Sequence, residues 1–235
     1  MTRIVNTKLN NLNNDFYRFQ ARILQSKKQN NMYFVTQLSK YQKLYRKAGL
    51  ENNFAENIFN FAENMKKVGI EDLPGIIYSA LVKMPFLTYK EKEKYALKGL
   101  SYAEQQGDYI HMNARLVDLG QLYHQMNYHS KYVNVVFNKA KVLEKICDDF
   151  KEAEDGYKTY SKNHNTLRKY EIELAKARID IAKVVKKTNP LQAKEELKKA
   201  RVILERENEQ KAVDFVDFLL SEVRKIINTM ISPKN

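Results

Sequence analysis

The sequence predicts an all-α protein, and two features lead to this prediction. The 235 residues include only 7 glycines and 4 prolines, whereas all-β folds need both residues at their many turns. Apolar residues recur three and four positions apart along most of the chain, a spacing that places them on one face of an α-helix. They make up 43% of the chain, which is enough for a packed core in one large domain or two small ones.

The first predicted helix runs from about residue 5 to residue 28 and has a single apolar stripe. The stripe consists of Val5, Leu9, Leu12, Phe16, Phe19 and Ile23. Basic side chains lie off this stripe, so the helix is amphipathic and shows a basic side. We expect it to dock as an N-terminal cap. With its stripe uncovered, it could instead form a dimer or lie on an anionic membrane surface.

Local signals mark the next helices in order. A second helix follows the break at Asn30-Asn31, and a third spans about residues 53–68. The predicted inward face of the third helix consists of Phe54, Ala55, Ile58, Phe59, Ala62 and Met65. Pro74 lies in the first turn of a fourth helix, where its missing N–H has no intrahelical partner to lose. Thr88, with Glu91 three positions later, has the spacing of a capping box that begins the fifth.

The second half of the chain predicts five further helices. The sixth begins after Gly107, and a long helix then keeps one face apolar over about residues 130–160. The polar segment 161–165 is predicted to be a loop, because it carries no residue of an apolar stripe. The remaining predicted helices span residues 167–187, 190–206 and 210–230.

Positive charge is concentrated near the N-terminus. The net charge is +13, and residues 1–50 contain ten basic side chains but only one acidic side chain, Asp15. Such a region attracts polyanions, although a solubilising face without a partner is an equally good interpretation. If it binds the phosphates of a nucleic acid, the expected contacts are Arg18, Arg22, Lys27, Lys28 and Lys40.

Other classes of protein are not indicated. The single cysteine, Cys147, cannot form an internal disulfide and is interpreted as a buried apolar residue in a reducing compartment. The polar N-terminus does not resemble a signal peptide, and the longest apolar stretch is too short to span a bilayer, so we expect a cytoplasmic location. Neither the four histidines nor any phosphate-binding or nucleophile motif forms a recognisable site. We therefore expect no enzyme activity, metal or cofactor.

A pattern of small-x3-large-x2-small recurs in four of the predicted helices. It consists of Ala55, Phe59, Ala62; Ala96, Leu100, Ala103; Val133, Phe137, Ala140; and Ala193, Leu197, Ala200. Each of these helices follows another that carries apolar residues three and four apart. Small residues let two paired helices approach closely, and each pair needs the next to cover its apolar face.

These residues resemble the tetratricopeptide repeat, most clearly at Leu116, Leu119, Gly120 and Tyr123 followed by Val133, Phe137 and Ala140. The resemblance implies a right-handed superhelix of about four helix pairs over residues 31–206, which contain the long helix and the loop. Residues 1–30 would form the basic N-terminal helix, and residues 207–235 a C-terminal capping helix. The repeats are also similar to sensor domains of Gram-positive peptide-sensing regulators of the Rap, Rgg and PlcR groups.

The resemblance implies a binding groove on the concave side of the superhelix, lined by the first helix of each pair. A peptide or protein ligand would then contact Lys43, Arg46, Lys47, Asn113, Gln121, His124 and Gln125. Lysine and arginine would bind acidic groups, whereas the amides can donate to and accept from an extended peptide backbone. The resulting prediction is a regulatory, non-catalytic scaffold, with nucleic-acid binding as the alternative.

Overall fold

The described residues of the computed structural model, 2–26, 30–156 and 160–231, form ten α-helices and no strand, which confirms the all-α prediction. The helices are α1 (Thr2–Gln25), α2 (Asn31–Lys47), α3 (Glu51–Lys67), α4 (Asp72–Val82), α5 (Tyr89–Gln106), α6 (Tyr109–Gln125), α7 (His129–Gly156), α8 (Tyr160–Val185), α9 (Pro190–Arg206) and α10 (Gln210–Ile231). Within these ranges, every helix is too short or too polar to cross a bilayer.

Several helix ends follow the predicted capping chemistry. The Thr88 hydroxyl accepts from the Glu91 N–H at 3.3 Å, and the Glu91 carboxylate accepts from the Thr88 N–H at 2.8 Å. This reciprocal pair satisfies two backbone donors that α5 would otherwise leave without partners. At the other end, Gly107 has φ +64°, a left-handed conformation that glycine adopts without steric strain.

The predicted loop over residues 161–165 is wrong. Helix α8 begins at Tyr160, so this segment is helical, and residues 157–159 lie outside the described part of the chain. The segment contains neither glycine nor proline. Serine, asparagine and histidine each disfavour a helix by less than about 0.7 kcal/mol relative to alanine. Polar composition alone therefore did not end the helix.

The chain forms two compact units, unit 1 (Met1–Asp108) and unit 2 (Tyr109–Asn235). The boundary falls inside the predicted repeat region 31–206. The division into an N-terminal helix, a repeat region and a capping helix therefore stays a prediction about the sequence.

Unit 1 has an aromatic core at its N-terminal end. The Phe16 ring of α1 lies 4.9 Å from the Tyr41 ring and 5.7 Å from the Phe54 ring, measured between centroids. The Tyr45 hydroxyl donates to Asn13 Oδ1 at 2.5 Å, which adds a polar contact between α2 and α1. The part of the α1 stripe formed by Phe16, Phe19 and Ile23 is buried, and its contacts dock α1 on α2 and α3, as expected for a cap.

The small residues of the repeated pattern are buried where helices pack. Ala62, Ala96, Ala193 and Ala200 are fully inaccessible to solvent, and the other alanines of the pattern are nearly so. Phe59, predicted to face inward, is only half-buried, whereas Phe61 is buried in the core. The Phe59 ring lies 5.2 Å from the ring of Tyr95 in α5, so it packs against the following helices.

Helix α8 is the centre of unit 2, and two of its faces contact different neighbours. On one face, Arg178 contacts both Glu144 of α7 and Glu196 of α9. About two turns away, Glu171 accepts from Lys151 of α7 at 3.2 Å and from Arg206 of α9 at 2.6 Å. These contacts hold α7 and α9 against the same side of α8.

The opposite face of α8 contacts α6 and α10. Asn113 Nδ2 of α6 donates to Glu173 Oε2 at 3.3 Å, and Lys183 Nζ lies 5.3 Å from the centroid of the Phe215 ring of α10. Positions 173 and 183 lie about 120–160° around the helix from positions 171 and 178. Unit 2 therefore places α6 and α10 on one side of α8 and both α7 and α9 on the other.

Cys147 lies in the core of unit 2, which confirms its interpretation as a buried residue. Burial, together with the nearby negative charge of Glu171, raises the pKa of the Cys147 thiol to about 11. The thiol is therefore protonated at neutral pH and has little nucleophilic character.

Candidate functional site

Two adjoining cavities form a groove in unit 2. Their volumes are about 370 Å³ and about 520 Å³. Both are lined by His124 of α6, Tyr132 of α7 and Asp180 of α8, so they meet at these three side chains. We refer to the smaller as the first cavity, to the larger as the second cavity, and to the two together as the unit 2 groove.

The first cavity has an apolar floor between α6 and α7. The floor consists of Leu116, Val117, Gly120, Val135 and Val136. Gly120 has no side chain, and a Cβ atom built there would lie 3.5 Å from Val135 Cγ1. The glycine therefore leaves free volume above α7 that a larger residue would fill. An apolar floor with a few polar groups at its edge is typical of ligand sites.

Helix α6 supplies the polar edge of this cavity. Gln121, His124 and Gln125 are separated by three and four positions, so they share one face of α6, and all three are exposed. The glutamine amides can both donate and accept hydrogen bonds, and neutral histidine can do the same through its two nitrogens. These side chains can pair with the N–H and C=O groups of a peptide backbone.

Some charged side chains of the groove form ion pairs within the protein, and others do not. Asp180 Oδ1 lies 3.5 Å from Lys183 Nζ, and Lys183 lines the second cavity. Lys139 lines the first cavity and forms no ion pair with any residue that the structure describes. The Tyr132 ring meets the His124 ring edge-on at 5.7 Å, and burial together with the negative charge of Asp180 raises the pKa of Tyr132. Lys139 is thus the cation available to a ligand in the first cavity.

Three of the predicted groove residues lie together, and one does not belong to the groove. Gln121, His124 and Gln125 border the first cavity. Asn113 is only 7% exposed and donates to Glu173, so it fixes α6 against α8 and is not available to a ligand. The helical spacing places Asn113 near the face of Gln121, but the Asn113 side chain is buried and hydrogen-bonded to Glu173 of α8.

Sequence reasoning missed the contributions of α7 and α8 to the groove. Tyr132, Lys139 and Asp180 all line it. The signal in the sequence was weak: Tyr132 and Lys139 are seven positions apart, which places them on one face of α7. From the sequence, only the apolar face of this helix was interpreted, and that spacing led to no prediction.

The remaining predicted peptide contacts lie on α2 in unit 1. Lys43 and Lys47 border a shallow cavity of about 550 Å³ together with Val35, Leu44 and Lys40. Arg46 is exposed on the same helix but does not line this cavity. Lys40, assigned by sequence to the nucleic-acid alternative, therefore lies with two lysines assigned to peptide binding.

The other residues of the nucleic-acid alternative are not gathered into one contact set. Arg18 and Arg22 are exposed on α1, and Arg18 Nη1 lies 3.8 Å from Asp15 Oδ1. Lys27 and Lys28 lie outside the described residues. In the part of the chain that the structure describes, no three side chains of His, Cys, Asp or Glu come together as a metal site.

No protein-family model matches the chain, and no curated protein matches its sequence.

Proposed function

We propose that this chain is a non-catalytic, regulatory scaffold that binds a peptide or protein segment in the unit 2 groove. The observation that carries this proposal is the position of Gln121, His124 and Gln125. These residues border a single apolar cavity whose other wall is formed by α7. A polar edge above an apolar floor suits a peptide, whose backbone needs hydrogen bonds while its side chains can be buried.

A tetratricopeptide-like arrangement is part of the proposal. Helix α8 contacts α6 and α10 on one side and α7 and α9 on the other. Alternating layers of this kind, with small residues buried between helices, support a stack of helix pairs within unit 2. In such a stack the groove lies on the side of α6, α8 and α10. We also propose that the protein acts in the cytoplasm, in line with its single buried thiol.

The test is selection of a random twelve-residue peptide library against the full chain, followed by fluorescence anisotropy with synthetic versions of the enriched peptides. Replacing Gln121 and Gln125 by alanine together is expected to weaken binding about tenfold or more, because two side chains that pair with the backbone are lost. Replacing Lys139 by glutamate is expected to weaken binding of acidic peptides further.

Lys141→Glu is the matched control for Lys139→Glu. Lys141 lies on the same helix, is exposed and does not line the groove. Its substitution makes the same change in net charge, so we expect unchanged binding. The proposal would be contradicted if no peptide were enriched, or if the enriched peptides bound the wild type and all the groove variants with equal affinity.

A second candidate function is binding of nucleic-acid phosphates through unit 1. It is favoured by Lys40, Lys43, Arg46 and Lys47, which form no ion pair with any described residue of the chain. No acidic residue occurs between Asp15 and Glu51. Clustered cations of this kind contact phosphates without reading sequence.

We expect a fluorescein-labelled 25-base-pair DNA duplex to bind with a steep dependence on salt, if this second function holds. Four phosphate contacts give a slope of about −3.6 in a plot of log affinity against log salt concentration. Charge reversal of Lys40, Lys43 and Lys47 together is expected to abolish binding between 50 and 200 mM salt, about the range over which such complexes weaken. Affinity that does not change with salt would exclude phosphate contacts.

A further inference from the structure

Helix α10 exposes two aromatic side chains on the side where it faces α8. Phe215 and Phe218 are 44% and 57% exposed. Lys183 Nζ of α8 lies 5.3 Å from the centroid of the Phe215 ring, and Glu222 of α10 lies 3.2 Å from Lys186 Nζ, just after the end of α8. Phe218 is three positions from Phe215 and four from Glu222, so all three share one side of α10. We refer to Phe215 and Phe218 as the aromatic pair.

Lys183 joins the aromatic pair to the groove. Its ammonium group lies over the Phe215 ring and also lies 3.5 Å from Asp180, and its side chain lines the second cavity. The surface therefore runs from the first cavity, through the second cavity and across Lys183, to α10. Two neighbouring exposed phenylalanines on a helix whose other side is packed mark an interaction surface.

The charge of this surface favours an acidic partner. Lys139 and Lys183 line its two cavities. Lys176 is exposed and shares one face of α8 with Asp180 and Lys183 at spacings of four and three. Asp180 is the acidic residue of that face and is already paired with Lys183. Lys139 and Lys176 form no ion pair with any described residue. Acidic side chains of a ligand would thus find unpaired cations.

The spacing of the helices sets the length of the ligand. Helix α8 lies between α6 and α10, and neighbouring packed helices are about 8–10 Å apart. Long side chains bridge α8 to α6 and to α10, so this spacing is a lower limit for each step, and the first cavity and the aromatic pair are at least about 16–20 Å apart. An extended chain advances about 3.3 Å per residue, so about six residues are needed to reach from one to the other.

We infer that the ligand of the unit 2 groove is an acidic, extended peptide segment of about six residues or more that carries two apolar side chains. One apolar side chain occupies the first cavity over Gly120, and the other packs on the aromatic pair. Acidic residues between them face Lys176 and Lys183. This inference rests on the proposed function and names the chemical class of the ligand.

The test compares library selection on the wild-type chain with selection on Phe218→Ser and Phe215→Ser variants. From the wild type we expect twelve-residue peptides with two apolar positions about five or six residues apart and acidic residues between them. Both variants are expected to lose the preference at the second apolar position only. Val202→Ser is the matched control, because Val202 is 64% exposed on α9 and lies away from the groove.

A double-mutant cycle between peptide and protein tests whether the second apolar side chain of the peptide contacts Phe218. Alanine at the second apolar position of an enriched peptide is expected to weaken its binding to the wild type about tenfold, measured by anisotropy. The same alanine is expected to change nothing on Phe218→Ser, because its contact is already lost. Melting temperatures of the variants should equal that of the wild type, since both phenylalanines are largely solvent-exposed.

The outcomes separate the two proposals. If no peptide is enriched on the wild type, the proposed function and this inference both fail. If peptides are enriched but their affinity is equal for the wild type and both phenylalanine variants, the inference is wrong and the proposed function stands. Sedimentation of the wild type as a dimer that Phe218→Ser dissociates would assign the aromatic pair to self-association and overturn the inference.

Discussion

Replacing Phe16 by alanine is expected to lower the free energy of unfolding of unit 1 by about 3–5 kcal/mol, the range for deletion of a buried aromatic side chain. The Phe16 side chain is fully buried. Its ring contacts the rings of Tyr41, Tyr45, Phe54 and Phe61, with centroids between 4.9 and 6.4 Å away. Its removal leaves a cavity where α1, α2 and α3 meet, and the surrounding rings cannot all move to fill it.

The measurement is urea denaturation of the full chain followed by circular dichroism, with hydrogen exchange to locate the change in unit 1. Tyr17→Ala is the matched control, because Tyr17 is the neighbouring aromatic residue on α1 and is 52% exposed. We expect its unfolding midpoint to stay near that of the wild type. Equal midpoints for Phe16→Ala and the wild type would show that α1 does not stabilise unit 1.

The docking of α1 was predictable because it depends on a local pattern. The intervals between Phe16, Phe19 and Ile23 define one helical face, and all three are buried. The same holds for the Thr88 cap and for the buried alanines, since both depend on residues a few positions apart. Local spacing determines which face of a helix is apolar, and the apolar face is the one that packs.

The groove was only partly predictable because it depends on contacts between helices that are distant in sequence. Gln121 and His124 were found from the face of a single helix. Asp180 of α8 could not be assigned, because its position depends on the packing of α8 against α6 and α7. The position of Asn113 was not predictable for the same reason. Asn113 donates to Glu173 of α8, and no local pattern in α6 indicates which helix will lie against it.

The second prediction with a large expected effect on stability concerns the ionic contacts of α8. Replacing Arg178 by alanine is expected to destabilise unit 2 by about 3–5 kcal/mol, as is typical when one partner of a buried ion pair is removed. The guanidinium bridges Glu144 of α7 and Glu196 of α9, and the side chains of Arg178 and Glu196 are nearly buried. Lys199 Nζ is 3.7 Å from Glu196 but is largely exposed, so it compensates only weakly.

Arg201→Ala is the matched control for this prediction. Arg201 also contacts two acidic side chains, Glu205 and Asp217, but on the surface between α9 and α10. We expect little change in the unfolding midpoint, because exposed ion pairs are screened by water and salt. Equal losses for Arg178→Ala and Arg201→Ala would show that burial does not decide the contribution of the pair.

A double-mutant cycle with Glu196→Gln identifies the cause of the expected loss. If the destabilisation by Arg178→Ala comes mainly from the charge left on Glu196, the same substitution in a Glu196→Gln background is expected to cost much less. If it comes from lost packing of the arginine stem, the cost is expected to be the same in both backgrounds. We expect the first result, because Arg178 contacts a nearly buried carboxylate at 2.5 Å, and the other cation near that carboxylate, Lys199, is farther away and largely exposed. Arg178 would then hold α7, α8 and α9 together by neutralising charge, and α8 carries the groove on its other face.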